Sequence, residues 1–332
     1  MRVSIYDVAE KAGLSVVTVS RVLNNASTVR ESSRIKVMKA VKELNYQPSA
    51  AARSLAKGKT NVIGIILPNL SDSFLSEVVM SANIALEKYC YSLAVSVADD
   101  GDLESKERGN SFFQQDRFDG VLVLTPIFDE GYLESLKQNR VPFVIIDNQR
   151  YPFTVPSVVV DNFKGGYEAT KYLIEAGHEL IAHVGGPESL LSAEERMAGF
   201  NKAIEEVGIE AYGVIRGDFE ISTGYDAMCE WLAKGRMPTA IFAGDDNIAF
   251  GVIDALREHG LKVPEDVSVI GYDDHPFCSK LHPFLTTVKQ PAKELAEEAV
   301  EMLLKVMSNN LKKNMIVKLE PQLIIRSSVK NL

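Results

Sequence analysis

Ser15, Thr18, Ser20 and Arg21, interleaved with Val16 and Val17, are the side chains in this chain best suited to reading a nucleic acid. An arginine can bond a guanine edge or a phosphate, hydroxyls suit phosphate oxygens, and valine methyls suit thymine methyls. The residue types that would do catalysis are present but not assembled. No His-x-x-x-His or Cys-x-x-Cys spacing suggests a metal. Ser189 and Ser192 have no G-x-S-x-G elbow around them. Gly165-Gly166 and Gly185-Gly186 read as turn glycines, not a dinucleotide fingerprint. The chain is therefore read as a binding protein without cofactor or metal, not an enzyme.

Two short helices joined by a tight turn would present the first set. In SIYDVAEKAGLSVVTVSRVLN, Ser4 with Asp7 resembles a helix-start capping pair, and Val8, Ala9 and Ala12 share one face. Gly13 can take the positive φ that ends the helix. Ser15 is a good N-cap for a second helix whose Val19, Val22 and Leu23 face inward. Val16, Val17, Thr18, Ser20 and Arg21 are left for the outside or the first turn, where a helix-turn-helix meets the major groove. A third helix is expected over Arg30 to Leu44, with Ile35, Met38, Val41 and Leu44 as its core face. In NYQPSAAARSLAKGKT, Pro48 breaks the chain and can open a short helix from Ser49 to Ala56. That segment is a plain linker or a hinge that turns helical on DNA, with Leu55 as a minor-groove wedge beside Arg53.

Charge separates this head from the rest. Residues 1–59 hold 11 Lys/Arg and 4 Asp/Glu, while the remainder holds 25 and 41, within a whole-chain charge of -9. A basic head on an acidic body suits a polyanion for the head alone. At 332 residues the chain is long enough for two or three domains. It has no run that spans a bilayer and no signal-like h-region, so a cytoplasmic protein with no membrane partner is expected. Cys90, Cys229 and Cys278 are read as reduced thiols.

From Asn61 apolar runs alternate with helical patterns: NVIGIIL, SLAVSVA, GVLVL and PFVIID, then SVVVD, LIAHVGG, YGVIRGD, TAIFAGDD and VSVIGYDD. Helices are expected through Glu77 and Leu86, over Glu104 to Gln115, from Phe163, through Arg196 and Ala203, from Ile221, and through Val252 and Leu256. This is the βαβ rhythm of parallel sheets covered on both faces, in two similar lobes. The fold class is α/β: an all-α helix-turn-helix head and a two-lobed body with parallel sheets. Ligands of such sheets sit at the carboxyl ends of the strands.

The segments SIYDVAEKAGLSVVTVSRVLNN, LNYQPSAAARSLA, GYDD and LTTVKQP, in this order and spacing, resemble the LacI/GalR family of bacterial repressors over nearly the whole chain. The resemblance implies a homodimer on a palindromic operator, and a body like periplasmic sugar-binding proteins with three crossovers, near Asp161, Lys289 and Glu320. It divides the chain into a DNA-binding domain at 1–48, a hinge at 49–60, a first lobe at 61–160 and 290–319, and a second lobe at 161–289 and 320–332. It implies DNA contacts at Ser4, Tyr6, Ser15, Val16, Val17, Thr18, Ser20, Arg21, Asn24 and Tyr46, with Leu55 as the wedge. Ser49 stands where the family usually has Asn, and its hydroxyl can still reach a phosphate.

For the effector, the resemblance implies Asn69, Ser71 and Phe74 in the first ligand loop, Asp147 after a first-lobe strand, Arg196 in ERMAGF with Ser192 nearby, Phe219, Asp245 and Asp273. The chain departs from the family at Asp245-Asp246, more often Asn-Asp, and at Pro291-Ala292. Carboxylates from strand ends facing Arg196, with an aromatic wall, match the hydroxyl edges and C–H faces of a sugar. A purine-like base would use the same groups, and Asp147 and Asp273 also suit turn capping. The function expected is a sugar-controlled repressor, with effector logic (inducer or corepressor) left open. The rivals are a sugar-transport protein, and a regulator that senses a phosphocarrier protein. Without a leucine-heptad tail before Leu332, a dimer is expected over a tetramer.

Overall fold

The computed structural model describes residues 3–47, 59–97, 117–124, 136–147, 155–310 and 315–332. Contacts divide the chain into two compact units, Met1–Asn61 and Val62–Leu332. The expected helix at Glu104–Gln115 and the hinge positions Ser49, Arg53 and Leu55 lie outside the described residues.

The head comprises α1 (Ile5–Ala12), α2 (Val16–Leu23) and α3 (Glu31–Glu43). Ser4 and Asp7 form a reciprocal capping box, in which the Asp7 carboxylate accepts the Ser4 amide at 2.7 Å. Gly13 ends α1 at φ 63°, a backbone that a side chain would resist. Ser15 then caps α2 by accepting the Thr18 amide at 3.2 Å. The core holds Val8, Ala9, Val19, Val22, Val37, Ala40 and Tyr46. A core this small makes a marginal unit.

The expected face of α3 needs correction. Val37 and Ala40 are the buried residues, Val41 and Leu44 pack beside them, and Ile35 and Met38 are 62% and 52% exposed. A series taken only at every third residue drifts by about 60° per step around a helix. The stripe that holds its direction is Val37, Ala40, Val41 and Leu44, spaced i, i+3, i+4, i+7.

The body holds two six-stranded sheets. The first lobe contains β1 (Val62–Leu67), β2 (Ser92–Val97), β3 (Gly120–Leu124), β4 (Phe143–Ile146), β5 (Ser157–Val160) and β11 (Ile316–Leu319), in the order β11-β5-β4-β3-β1-β2. Its helices that lie wholly among the described residues are α4 (Ser73–Glu87) and α9 (Ala292–Met307). The second lobe contains β6 (Ile181–Gly185), β7 (Gly213–Arg216), β8 (Ala240–Ala243), β9 (Ser268–Tyr272), β10 (Thr286–Lys289) and β12 (Gln322–Ile324), in the order β12-β10-β9-β8-β6-β7. Its helices are α5 (Asn162–Glu175), α6 (Leu191–Val207), α7 (Ile221–Ala233) and α8 (Asp246–Glu258).

Only β10 and β12 pair antiparallel; the other described pairs are parallel. Parallel strands need covered faces, which is why β3, β4, β6, β8 and β9 are buried at every residue. The chain passes between the sheets three times: from β5 into α5, from β10 into α9, and from β11 to β12. Ion pairs brace two of these passages, Lys318–Asp161 at 3.0 Å and Lys164–Glu320 at 2.8 Å.

Candidate functional site

On the head, the first turns of α2 are built outward by the capping just described. Val17 is 61% exposed and Tyr6 70% exposed. Ser4 and Val16 are half-buried. Arg21, Ser15 and Asn24 are exposed, and Thr18 and Ser20 are half-buried beside them. Among the described residues no carboxylate pairs with Arg21, so its guanidinium is free to meet a phosphate or a base. The Ser15 and Thr18 hydroxyls lie 2.9 Å apart, and the Asn24 amide donates to the Ser20 carbonyl at 3.0 Å. Tyr46 is placed differently from the expectation. It is 9% exposed and its ring belongs to the head core.

In the body, Arg196 is the centre of a polar cluster. It points from α6 and is 4% exposed. Its Nε donates to Asn162 Oδ1 at 3.0 Å, one terminal nitrogen donates to the Gly244 carbonyl at 2.7 Å, and the other lies 3.5 Å from Asp273. The guanidinium stacks on Tyr272, 3.7 Å from the ring centre, with Phe219 at 5.6 Å. Burial works against this charge, but Asp273, Tyr272, Asp147 and Asp245 outweigh it and hold the group protonated.

Two close approaches make room for this packing. A Cβ on Gly165 would sit 2.2 Å from the Tyr272 hydroxyl, and one on Gly186 would sit 2.3 Å from the Phe219 ring. A side chain at either position would displace an aromatic neighbour of Arg196.

The carboxylates arrive from strand ends, as the sequence pattern implied. Asp147 follows β4 at φ 72°, and Asp273 follows β9 at φ 106°. Both backbones lie where side chains are rarely tolerated, and such strain concentrates at ligand sites. Burial raises the Asp147 carboxyl, with Arg196 opposing. Burial likewise pushes Asp273 up to about 6 against the pull of Arg196. Gln290, at the passage into α9, donates to Asp273 at 2.6 Å.

Asp245 caps α8 by accepting the Ile248 amide at 2.8 Å, and burial together with Asp273 raises it well above the usual carboxylate range. It thus fills the capping role and faces the cleft as well. Asp72, Ser73, Asp245, Asp246, Asn247, Asp273 and His275 line a narrow pocket of about 10 Å³, the room of a single water. Asp72 and Ser73 come from the first lobe and the others from the second.

Three expected contacts in the first loop are placed differently. Phe74 is 6% exposed and packs in the first-lobe core, so it offers no open wall. Its position on α4, two residues beyond the capping Asp72, turns it toward the sheet. The Asn69 side chain accepts from the Ser71 amide at 3.1 Å, the Ser71 hydroxyl at 3.0 Å and the Asp72 amide at 2.9 Å. Asn69 and Ser71 therefore shape the loop that carries Asp72. Ser192 is half-buried in the first turn of α6.

Sequence reasoning missed Asn162, Tyr272, Gln290, Asp246, His275 and Asp72 as members of the site. Asp246 is 2% exposed and accepts from the Thr287 hydroxyl and the His275 amide, each at 2.6 Å, and from the Cys278 thiol at 3.1 Å. Four enclosed polar atoms have no hydrogen-bond partner among the described residues: Asp147 Oδ1, Gln290 Oε1, the Tyr272 hydroxyl and His183 Nε2. The first three surround the Arg196 cluster. Polar atoms left so in a native core usually await water or a ligand. His183 is stacked between Phe200 and Phe242 and is depressed to about 4 by burial, so it is a neutral core residue.

Residues 4–49 match the family model "Bacterial regulatory proteins, lacI family", and residues 170–329 match "Periplasmic binding protein-like domain". The chain is 38% identical over 334 residues to the HTH-type transcriptional repressor PurR of Salmonella paratyphi B, covering 98% of this chain and 96% of that one. Among solved structures, it resembles the Lac repressor dimer bound to operator and the anti-inducer ONPF, with TM-score 0.89 and 30% identity over 99% and 100% of the two chains. It also resembles a complex of the transcriptional regulator CelR with cellobiose, with TM-score 0.76 and 29% identity over 98% and 100%. These relatives are regulators, not enzymes. A matching helix-turn-helix head, a matching two-lobed body and whole-chain similarity together establish that this chain belongs to the LacI family of bacterial regulatory proteins.

Proposed function

We propose that this protein is a cytoplasmic transcriptional repressor that binds a palindromic operator as a homodimer and responds to a sugar held between its lobes. The observation that carries the effector reading is the Arg196 cluster. Its guanidinium is fixed by Asn162, Gly244 and Asp273, while Asp147 from the other lobe keeps a carboxylate oxygen without a partner. Unfilled acceptors ask for the hydroxyl donors that a sugar supplies. Exposed Val17 and unpaired Arg21 support the operator reading.

Effector and operator communicate through the three passages between lobes. A ligand alters DNA affinity only by binding one lobe arrangement more tightly than another. A purine-type base is the second reading. It is favoured by Phe219, a flat face 5.6 Å from Arg196, and by the acceptor on Asp273. A phosphorylated carrier protein fits poorly on the groove between α4 and α9. That groove is lined by Glu294, Glu297, Glu298 and Glu301 against the single cation Lys88, and its net negative charge would repel phosphate.

The test is fluorescence anisotropy with duplex DNA carrying the inverted repeats upstream of its own gene, titrated with sugars and purine bases. An operator affinity that shifts with a sugar supports the reading. A response to purine bases alone replaces the sugar, and no duplex binding at all refutes the whole.

A further inference from the structure

Two polar side chains are buried at the passages between the lobes, where connecting chain usually lies on the surface. Asn162 opens α5 directly after the passage out of β5 and is 1% exposed, and Gln290 lies between β10 and α9 and is 3% exposed. Each grips one member of the Arg196–Asp273 pair. Asn162 Oδ1 accepts from Arg196 Nε at 3.0 Å, and Gln290 Nε2 donates to Asp273 at 2.6 Å. The pair itself closes at 3.5 Å. Four side chains thus run without a break from the first passage, through the two charges, to the second.

Both residues are also tied to the chain of their own passage. The Asn162 amide donates to the Val160 carbonyl, at the end of β5, at 3.4 Å. The Gln290 carbonyl accepts from the Ala292 amide, at the start of α9, at 2.9 Å. Gln290 Oε1 has no partner among the described residues, so the bond to Asp273 is what fixes this side chain. Hydrogen bonds to a charged partner are the strong ones, and burial strengthens them further. The third passage is built differently. Its ion pairs use Lys318 and Glu320, which are 49% and 71% exposed, and solvent screens them.

A shift of either of the first two passages must therefore break one of these buried bonds or carry Arg196 or Asp273 with it. We infer that Asn162 and Gln290 are positioning residues that couple occupancy of the effector site to the angle between the lobes. This rests on the reading that an effector sits against Arg196 and Asp273. Such coupling is measured as the ratio of operator affinities with and without effector.

The experiment uses the full chain, a duplex carrying the inverted repeat upstream of its own gene, and four probes: glucose, galactose, adenine and guanine. Operator anisotropy gives the coupling factor, and calorimetry without DNA gives the affinity for the probe. Asn162→Ala removes the acceptor for Arg196, and Asn162→Asp keeps it. Gln290→Leu keeps bulk and removes the donor to Asp273. Met228→Ala, fully buried in the second-lobe core, controls for loss of stability alone.

In Asn162→Ala and Gln290→Leu the coupling factor should fall toward one, by about fivefold or more, while affinity for the probe stays within about threefold of wild type. Asn162→Asp should recover most of the coupling, and Met228→Ala should keep it. If Gln290→Leu melts below the assay temperature, the Asn162 pair of variants decides. A coupling factor unchanged by either substitution overturns the inference. So does an equal fall in Met228→Ala, or a loss of probe affinity as large as the loss of coupling. If no probe shifts operator affinity in wild type, the effector reading falls and the inference falls with it.

Discussion

Replacing Arg196 by Ala should uncouple effector from operator, and the size of the effect follows from its surroundings. The side chain is 4% exposed and pairs with Asp273 at 3.5 Å. Removing one partner of a buried ion pair costs about 3–5 kcal/mol, because the remaining charge is left uncompensated. The bonds to Asn162 and Gly244 add to this, but the three are not independent, and Asp273 can take up a proton once Arg196 is gone. A net loss of about 4 kcal/mol is expected. In the body, Val62–Leu332, that corresponds to a melting shift of roughly 10 °C.

Effector binding should weaken by at least about a hundredfold, equivalent to 2.7 kcal/mol. Operator affinity without effector should remain within about threefold, because the head folds around its own core. The assay is operator anisotropy at rising effector concentration, with differential scanning fluorimetry in parallel. Arg196→Lys serves as control: it keeps the charge but loses the fork and the stacking. It should recover part of the melting temperature and little of the response. An unchanged dose response in Arg196→Ala would remove this residue from the site and refute the reasoning.

Further outcomes follow from the same geometry. Tyr272→Phe keeps the stacking under Arg196 and deletes a buried hydroxyl without a partner, so thermal stability should hold or rise by about 1 kcal/mol; a clear loss means that the hydroxyl has a partner in the folded protein. Burial pushes Asp246 up to about 7, so the folded state holds a proton there that the unfolded state releases near pH 4. The stability this gives is complete below the unfolded pKa and is lost as pH rises through the folded one. Wild type should therefore lose stability relative to Asp246→Asn between pH 4 and pH 7 in thermal melts. A constant difference across that range would contradict the shift. Leu55→Ala should weaken operator binding by about tenfold with effector affinity unchanged, as a minor-groove wedge requires; equal losses of both would argue against that role.

Local rules were legible because they act within a few residues. The Ser4–Asp7 box, the left-handed Gly13 and the Ser15 cap are each decided by neighbours in sequence. The alternation of buried runs and helical patterns likewise fixes two parallel sheets. The face of α3 was misread because Ile35 and Met38 are as apolar as Val37 and Ala40; packing against α1 and α2 decides between them. Phe74 was misplaced for a related reason, since an aromatic in a ligand loop serves core and cleft equally well until the helix direction is known. Asn162, Tyr272 and Gln290 reach Arg196 or Asp273 from three separate chain segments. Only the tertiary fold brings those segments together.

The most direct test of a ligand-gated operator binder is one titration of full-length protein onto a duplex carrying its promoter's inverted repeat, at two salt concentrations, with and without a sugar that binds the body. The account predicts specific binding that weakens steeply with salt and shifts when the sugar is added. Binding that is indifferent to the repeat, or unmoved by a sugar shown by calorimetry to occupy the body, would contradict it.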